Sequence, residues 1–334
     1  MKRYNFVIII CTLLMSGCNK MKDNIVYIKP IISNDTLKYS IMDLPENILY
    51  PGQVFICEDK FVIHQHKTDT MFYVFDLKNL KYLYSFGTYG AGPNDFLQIN
   101  TSNIVRTNNG LKVCSINNTL IDIDIEEKKI HKREKLYADY ELFNGFEQIN
   151  DSVYLFTNMT DVDYQFLTYN TLNRTTSSVI QYPDWLDMET YKDNHISKII
   201  DCNGYTVTND NSTKTAMFYG YIDCVRIFNE KWELFKTCVI GNLESKIPQD
   251  YTKRIVYYPI RPQNVKNTIY NIYRGKDCPE DILQIWSWDG ELIKSERLGH
   301  RITSFCISEN KDKMYAIKAL NDGLCQLIIY DLKN

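Results

Sequence analysis

Along most of the chain, apolar and polar residues alternate in short runs, and the 3.6-residue spacing of a helix is nearly absent over any long stretch. One unit recurs. An alternating run ends in Asp or Asn, a short polar turn follows, and a second run begins. The unit is seen at Met71–Asp76 leading into Lys81–Phe86, at Leu120–Asp124 into Ile130, and at Gln165–Asn170 into Ser177–Ile180. It returns at Cys224–Asn229, Leu283–Asp289 and Leu327–Asp331. Period-two alternation closed by an Asp or Asn turn predicts a β-hairpin each time. The turn positions 76, 124, 170, 229, 289 and 331 recur at intervals of 42–60 residues. A four-stranded propeller blade takes roughly 40–50. The two longest intervals contain residues 181–199 and 242–254, where Pro, acidic residues and helix-tolerant spacing predict loop insertions with a helical turn.

Six hairpins at this spacing predict an all-β, six-bladed β-propeller of four-stranded antiparallel blades. A two-sheet sandwich would hold fewer such units. The sixth unit reaches Asp331 with three residues of chain left, so its blade lacks an outermost strand. Thr36–Met42 alternates and has no partner beside it, so it is expected to pair near Tyr330 and close the ring, leaving no long bare edge. Composition fits: 13% of residues are aromatic, including 25 Tyr, enough to fill wedges between twisted blades.

The first residues belong to an address. Lys2 and Arg3 precede an apolar run, Phe6–Met15, too short to span a bilayer, which takes roughly 20 residues. Small residues and a cysteine follow, as at the end of a secretory signal peptide. Leu14-Met15-Ser16-Gly17-Cys18 resembles a bacterial lipobox, which implies cleavage before Cys18 and a diacylglyceryl group on its sulfur. A plain signal peptide with a chance cysteine is the alternative. The expected organisation is a signal peptide at 1–17, a lipidated tether at 18–35 and one propeller domain at 36–334, bound to the membrane only through its lipid. Asn19 after the cysteine implies the outer membrane. Losing Lys2 and Arg3 takes the formal net charge from −3 to −5, with no basic stripe, which argues against a nucleic-acid partner.

Eight cysteines lie beyond Cys18, with no CxxC or CxxxC spacing, so no zinc or redox motif is supported. Cys114 and Cys306 sit within apolar strand patterns as small buried hydrophobes; Cys202, Cys224 and Cys278 are the candidates for a bridge. His64 and His66 fall on one side of a strand and could share a metal, but a packed or solvated pair is favoured and no cofactor or metal is expected. Asp122, Asp124, Glu126, Glu127, Asp161 and Asp163 fall at or near hairpin turns, where Asp bonds its own backbone. No Gly-x-Ser-x-Gly elbow or Cys–His signature marks a nucleophile. The richest aromatic and cationic stretch is Tyr257–Pro262, with Tyr273 and Arg274 close behind. Tyr258, Arg261, Tyr273 and Arg274 are the candidate ligand-binding residues, because Tyr and Arg anchor binding surfaces by stacking and bidentate hydrogen bonds. The plainer alternative makes Tyr257 and Tyr258 packing residues between blades and Arg274 a surface charge.

Ser85–Phe96, with its Gly90-Ala91-Gly92-Pro93-Asn94-Asp95-Phe96 ending, closes the first blade. Gly87, Gly90 and Gly92 are expected to permit positive φ, Pro93 to set the exit, and Phe96 to plug between blades; the order does not match a phosphate-binding loop. Together with the lipobox, the hairpins, Asn271–Gly275 and Ile285–Gly290, this segment resembles the TolB-like six-bladed propeller lipoproteins of Bacteroides-type bacteria. The resemblance implies an envelope protein that accompanies outer-membrane nutrient uptake, and it assigns no catalytic residues. Two functions follow: a non-catalytic lipoprotein binding a glycan, peptide or envelope protein, or a hydrolase or lyase of polysaccharide or peptide on the same scaffold.

Overall fold

In the computed structural model, which describes residues 24–333 apart from residues 67, 91, 93–94, 97–98, 100, 108–109, 116, 137–144, 160, 192–194, 244–246, 249, 277 and 322, the six hairpins grow into six sheets. The fold is an all-β six-bladed propeller. From the axis outward, blade 1 is Pro51–Cys57, Lys60–Gln65, Thr70–Asp76 and Tyr82–Tyr89. Blade 2 is Ile104–Thr107, Gly110–Ser115, Thr119–Asp124 and Lys129–Lys135. Blade 3 is Glu147–Gln148, Val153–Thr157, Tyr164–Asn170 and Thr175–Gln181. Blade 4 is Gly204–Thr208, Lys214–Tyr219, Cys224–Asn229 and Leu234–Val239. Blade 5 is Gln263–Asn264, Ile269–Tyr273, Ile282–Trp286 and Leu292–Arg297. Blade 6 takes Ser304–Ile307, Lys313–Ala319 and Cys325–Asp331 from the end of the chain and its outer strand, Tyr39–Asp43, from the beginning. Tyr39 faces Tyr330 and Ile41 faces Ile328, as the unpaired alternating segment required.

The turn chemistry explains the repeated Asp and Asn. The Asp76 carboxylate accepts Asn79 N at 2.9 Å, Asp124 accepts Glu127 N at 2.7 Å, Asn170 accepts Leu172 N at 2.9 Å, and Asn229 accepts Lys231 N at 2.9 Å. Each of these turns continues through one left-handed residue: Leu80 (φ 56°), Lys128 (56°), Arg174 (58°) or Trp232 (64°). In blade 5 the position is Gly290 (75°). In blades 1, 2, 4 and 5 the register shifts beside this turn. A left-handed residue beside a bulge lets the hairpin keep its right-handed twist.

Both faces of each blade are covered, so alternate side chains serve opposite neighbours. In blade 4, Met217 and Tyr219 enter the cluster shared with blade 3, while Ala216 and Phe218 enter the one shared with blade 5. Six apolar clusters fill the six gaps around the ring.

The structure adds a belt that the sequence pattern did not show. In the expected tether, Ile25–Tyr27 pairs in parallel with the outer strand of blade 4, and Ile32–Thr36, which runs one residue past the tether into the segment expected to close the ring, pairs with the outer strand of blade 5. Cys18 and residues 19–23 lie outside the described residues. The two insertions contain short helical turns, Met188–Tyr191, His195–Asp201 and Tyr251–Lys253. They are joined by a buried ion pair, Arg254 to Asp201 at 2.6 Å, and Asp201 also accepts the Tyr191 hydroxyl at 3.1 Å. Phe96 plugs the gap between blades 1 and 2. Of the three loop glycines only Gly87 has positive φ (83°). Gly90 and Gly92 lie close against Asp95, whose carboxylate would have to shift to admit a Cβ at either position. Pro93 lies outside the described residues.

Candidate functional site

The innermost strands leave a narrow axial channel of about 280 Å³, walled by residues of all six blades, among them Gln53, Ser102, Glu147, Thr208, Gln263 and Ser304. Arg261 enters it from the segment before blade 5. Its guanidinium donates to Ile104 O at 2.9 Å and Ser102 O at 3.3 Å, both at the entry to blade 2. It also donates to Phe146 O at 2.6 Å and pairs with the Glu147 carboxylate in blade 3. One side chain thus reaches across the ring. Burial pushes the Glu147 carboxyl above its ordinary value; the Arg261 charge and hydrogen bond, and a Thr208 backbone hydrogen bond, act the other way. Gln263 ties blade 5 to blade 6, donating to Phe305 O at 2.6 Å and accepting Ile307 N at 3.2 Å. Ser304 is a buried hydroxyl on the wall with no hydrogen-bond partner.

The turns joining first to second and third to fourth strands share one face of the ring, here the lower face. Between blades 2, 3 and 4 this face opens into a polar cleft of about 820 Å³. Blade 2 contributes Arg106, Lys112, Asp122, Asp124 and His131; blade 3 contributes Glu147, Gln148, Asn150 and Asp151; blade 4 contributes Asn209 and Asp210. Glu147 and Arg106 belong to both cavities. Most of these charges have partners in the protein. Lys112 pairs with Asp122 at 2.6 Å, and Arg106 pairs with Glu309 of blade 6. Asp210 accepts Asn264 Nδ2 at 2.6 Å and Asn267 N at 3.0 Å. Such a surface offers fixed donors and acceptors to a polar ligand.

The four residues singled out in the sequence do not converge. Only Arg261 reaches the channel. Tyr258 is fully buried, its ring 5.5 Å from that of Tyr273 in the wedge between blades 4 and 5. The Tyr273 hydroxyl donates to Asp223 at 3.1 Å. Arg274 makes a two-pronged pair with Asp281 at 2.6 and 2.8 Å and reaches Ile302 O at 3.3 Å, bracing blade 5 against blade 6. Sequence reasoning missed Glu147 and the cleft. Glu147 begins a strand of two residues, too short for any alternation to mark.

The remaining candidates are structural. His64 is buried against Phe72, ring centroids 5.4 Å apart, and burial holds its imidazole down to about 3. Asp161 caps its own turn, accepting Asp163 N at 2.8 Å. The eight cysteines from Cys57 to Cys325, including Cys202, Cys224 and Cys278, are free thiols. No cluster of three His, Cys, Asp or Glu side chains suited to a metal occurs among the described residues, and no described helix is long and apolar enough to cross a membrane.

No family model and no curated protein sequence matches this chain. Solved structures do. A candidate exported protein of Bacteroides fragilis superposes with a TM-score of 0.60 at 12% identity, covering 93% of this chain and 100% of its own. A member of the DUF4221 family from Bacteroides vulgatus superposes with a TM-score of 0.56 at 12% identity, covering 90% of this chain and 97% of its own. At that identity the likeness is one of fold, and it spans the whole ring: the chain shares its six-bladed architecture with propellers of Bacteroides.

Proposed function

We propose that this protein is a lipid-anchored propeller of the cell envelope, seated at the outer membrane, which binds a glycan or peptide without transforming it and serves nutrient uptake there. The anchor is supported by the lipobox ending at Cys18, and the envelope by the structural neighbours from Bacteroides, one of them described as exported. The TolB-like lipoproteins are the matching functional class. Binding rests on one observation: three blades converge on a polar cleft whose amides and carboxylates are held in fixed positions by their own partners. Preorganised groups of this kind recognise hydroxyls and amides at little entropic cost. The expected ligand is therefore hydroxyl-rich or peptidic. Arg261 acts as the cross-channel brace beneath it, and Tyr258, Tyr273 and Arg274 support the wedges behind.

The test uses the full chain carrying Cys18→Ala, screened against oligosaccharide and peptide arrays. A ligand found there should lose at least about tenfold in affinity, roughly 1.4 kcal/mol, with Asp151→Ala or Lys112→Ala. Unchanged affinity in both variants moves the site out of the cleft. Cys18→Ala should itself shift towards the soluble periplasmic fraction, and the N-terminal peptide of the parent chain should carry the acyl mass; an unmodified Cys18 in the parent chain refutes the anchor.

A hydrolase reading has one observation in its favour. Carboxylates of three blades border the cleft, and the raised Glu147 carboxyl is of the kind used as a general acid. Cleavage products in the same ligand screen, lost in Glu147→Gln, would establish it.

A further inference from the structure

The described chain begins on the rim of blade 4, where Asn24 O accepts Thr237 N at 3.0 Å. Cys18 lies six residues earlier. An extended chain covers at most about 3.5 Å per residue, so a lipid on that sulfur sits within about 20 Å of this rim. Ile25–Tyr27 runs parallel to Leu234–Val239, so the chain climbs onto blade 4 from the lower face.

Several apolar side chains are exposed at this point. Val26, Tyr27, Ile31 and Ile32 are exposed on the belt, Ile31 to 90%, and Phe235 and Ile293 are exposed on the outer strands of blades 4 and 5. Their neighbours Ile25 and Ile28 turn inward against the blade clusters, so the segment is amphipathic as well as adhesive. Singly exposed apolar residues are ordinary, whereas a group of them marks a contact surface. Exposed Lys29, Lys231 and Lys294 lie on the same segments, together with exposed Asp35, Glu230, Glu233 and Glu291, and the ammoniums of Lys214 and Lys236 lie 4.3 and 5.8 Å from the Phe235 ring centre; Lys20, Lys22 and Asp23 precede the belt in the sequence. Apolar and aromatic side chains flanked by lysines suit the boundary between headgroups and acyl chains.

We infer that the rim formed by residues 25–32 with Phe235 and Ile293 is a membrane-contact edge, whose partner is the lipid surface that holds the anchor. The inference rests on the lipid-anchor reading above. The ring then stands on edge, with its axis along the bilayer plane. Both channel mouths and the lower-face cleft face water, and blades 1 and 2 are farthest from the membrane.

The experiment uses the full lipidated chain with Cys278→Ser, the partly exposed thiol. The other seven thiols from Cys57 to Cys325 are buried from the dye, and burial also pushes those of Cys57, Cys114 and Cys202 up to about 12. Ile31→Cys, or Leu172→Cys at the exposed hairpin tip of blade 3, is labelled with a polarity-sensitive fluorophore. Each protein is placed in vesicles of phosphatidylethanolamine and phosphatidylglycerol, with and without nitroxide-bearing lipid. The mass of the N-terminal peptide reports whether Cys18 is acylated. With Cys18 acylated, the label at 31 should shift to the blue and be quenched at least about two-fold more than that at 172, as expected for insertion of a few ångströms. Equal quenching on an acylated chain overturns the edge and leaves the anchor standing. A blue shift at 31 that ignores the nitroxide lipid assigns the rim to a protein contact and also overturns it. An unmodified Cys18 overturns the anchor, and the edge with it.

Discussion

Blades 4 to 6 and blades 1 to 3 solve the same edge problem differently. The outer strands of blades 4 and 5 are covered by parallel segments of the belt, and blade 6 owes its fourth strand to Tyr39–Asp43. Blade 1 gains only the two-residue strand Asp95–Phe96, and among the described residues no further strand covers the outer strands of blades 2 and 3. Blade 2 protects its edge with charge: Lys129, Lys132, Arg133, Glu134 and Lys135 all lie on that strand, and charged edges resist pairing with other chains. Blade 3 presents Thr175–Ser178, exposed and uncharged, before the strand turns inward at Val179. The first half of the chain relies on its own hairpins, and the second half is bound over by the N-terminus. Arg261 ties the halves together, since it leaves blade 5 and ends on blades 2 and 3.

Removing residues 24–43 should break the contrast outright. It uncovers Leu327, Ile328 and Tyr330, all fully buried, and leaves blade 6 with three strands. The expected loss is on the order of 5 kcal/mol, a large part of ordinary domain stability. An unchanged midpoint in denaturant would show that the ring does not depend on closure. Cutting the tie comes next. Arg261→Ala leaves the largely buried Glu147 carboxyl without its cation, at a cost of about 1–3 kcal/mol. Its folded value, already raised by burial, then rises further. The native state holds a proton that the unfolded chain releases, so stability increases as pH falls from neutrality towards the ordinary carboxylate range. Melting curves that are flat over that range in Arg261→Ala would contradict the assignment, and adding Glu147→Gln should abolish the slope.

Hydrogen exchange sharpens the comparison without mutation. Amides of Leu234–Val239 and Leu292–Arg297 should exchange at least about tenfold more slowly than those of Lys129–Lys135 and Thr175–Gln181, because belted edges open less often. Equal rates would mean that the parallel pairing adds no protection. The smallest effect is expected from a matched pair of substitutions. Ile25→Ser, on the belt and packed against the cluster between blades 3 and 4, should cost about 1 kcal/mol. Leu172→Ser, at an exposed tip of blade 3, should stay within about 0.5 kcal/mol.

The ring was legible in the sequence because its commonest turn is written in chemistry that survives without an alignment. Asp76, Asp124, Asn170 and Asn229 each cap the turn they announce. The closing strand was legible as an alternating run with no local partner. The belt was not. Ile32–Thr36 contains Ser, Asn, Asp and Thr, and its stability comes from backbone pairing with a strand some 260 residues away, which no local pattern encodes. Inner strands such as Glu147–Gln148 and Gln263–Asn264 are too short to alternate, so the channel lining stayed hidden. Arg261 stood out through its flanking prolines, and it does reach the axis. Tyr258 and Tyr273 show the opposite failure, since an aromatic that fills a wedge and one that grips a ligand have the same letter.

Blade 6 joins Asp43 to Gln326, 283 positions apart, through a side-chain hydrogen bond of 2.9 Å. A chain made from its N-terminus cannot lock this circle until Gln326–Tyr330 has emerged to pair with Tyr39–Asp43. Five sheets can assemble from local hairpins while the opening strand waits unmatched, so the slowest and most aggregation-exposed interval in the life of this protein precedes the moment its two ends meet.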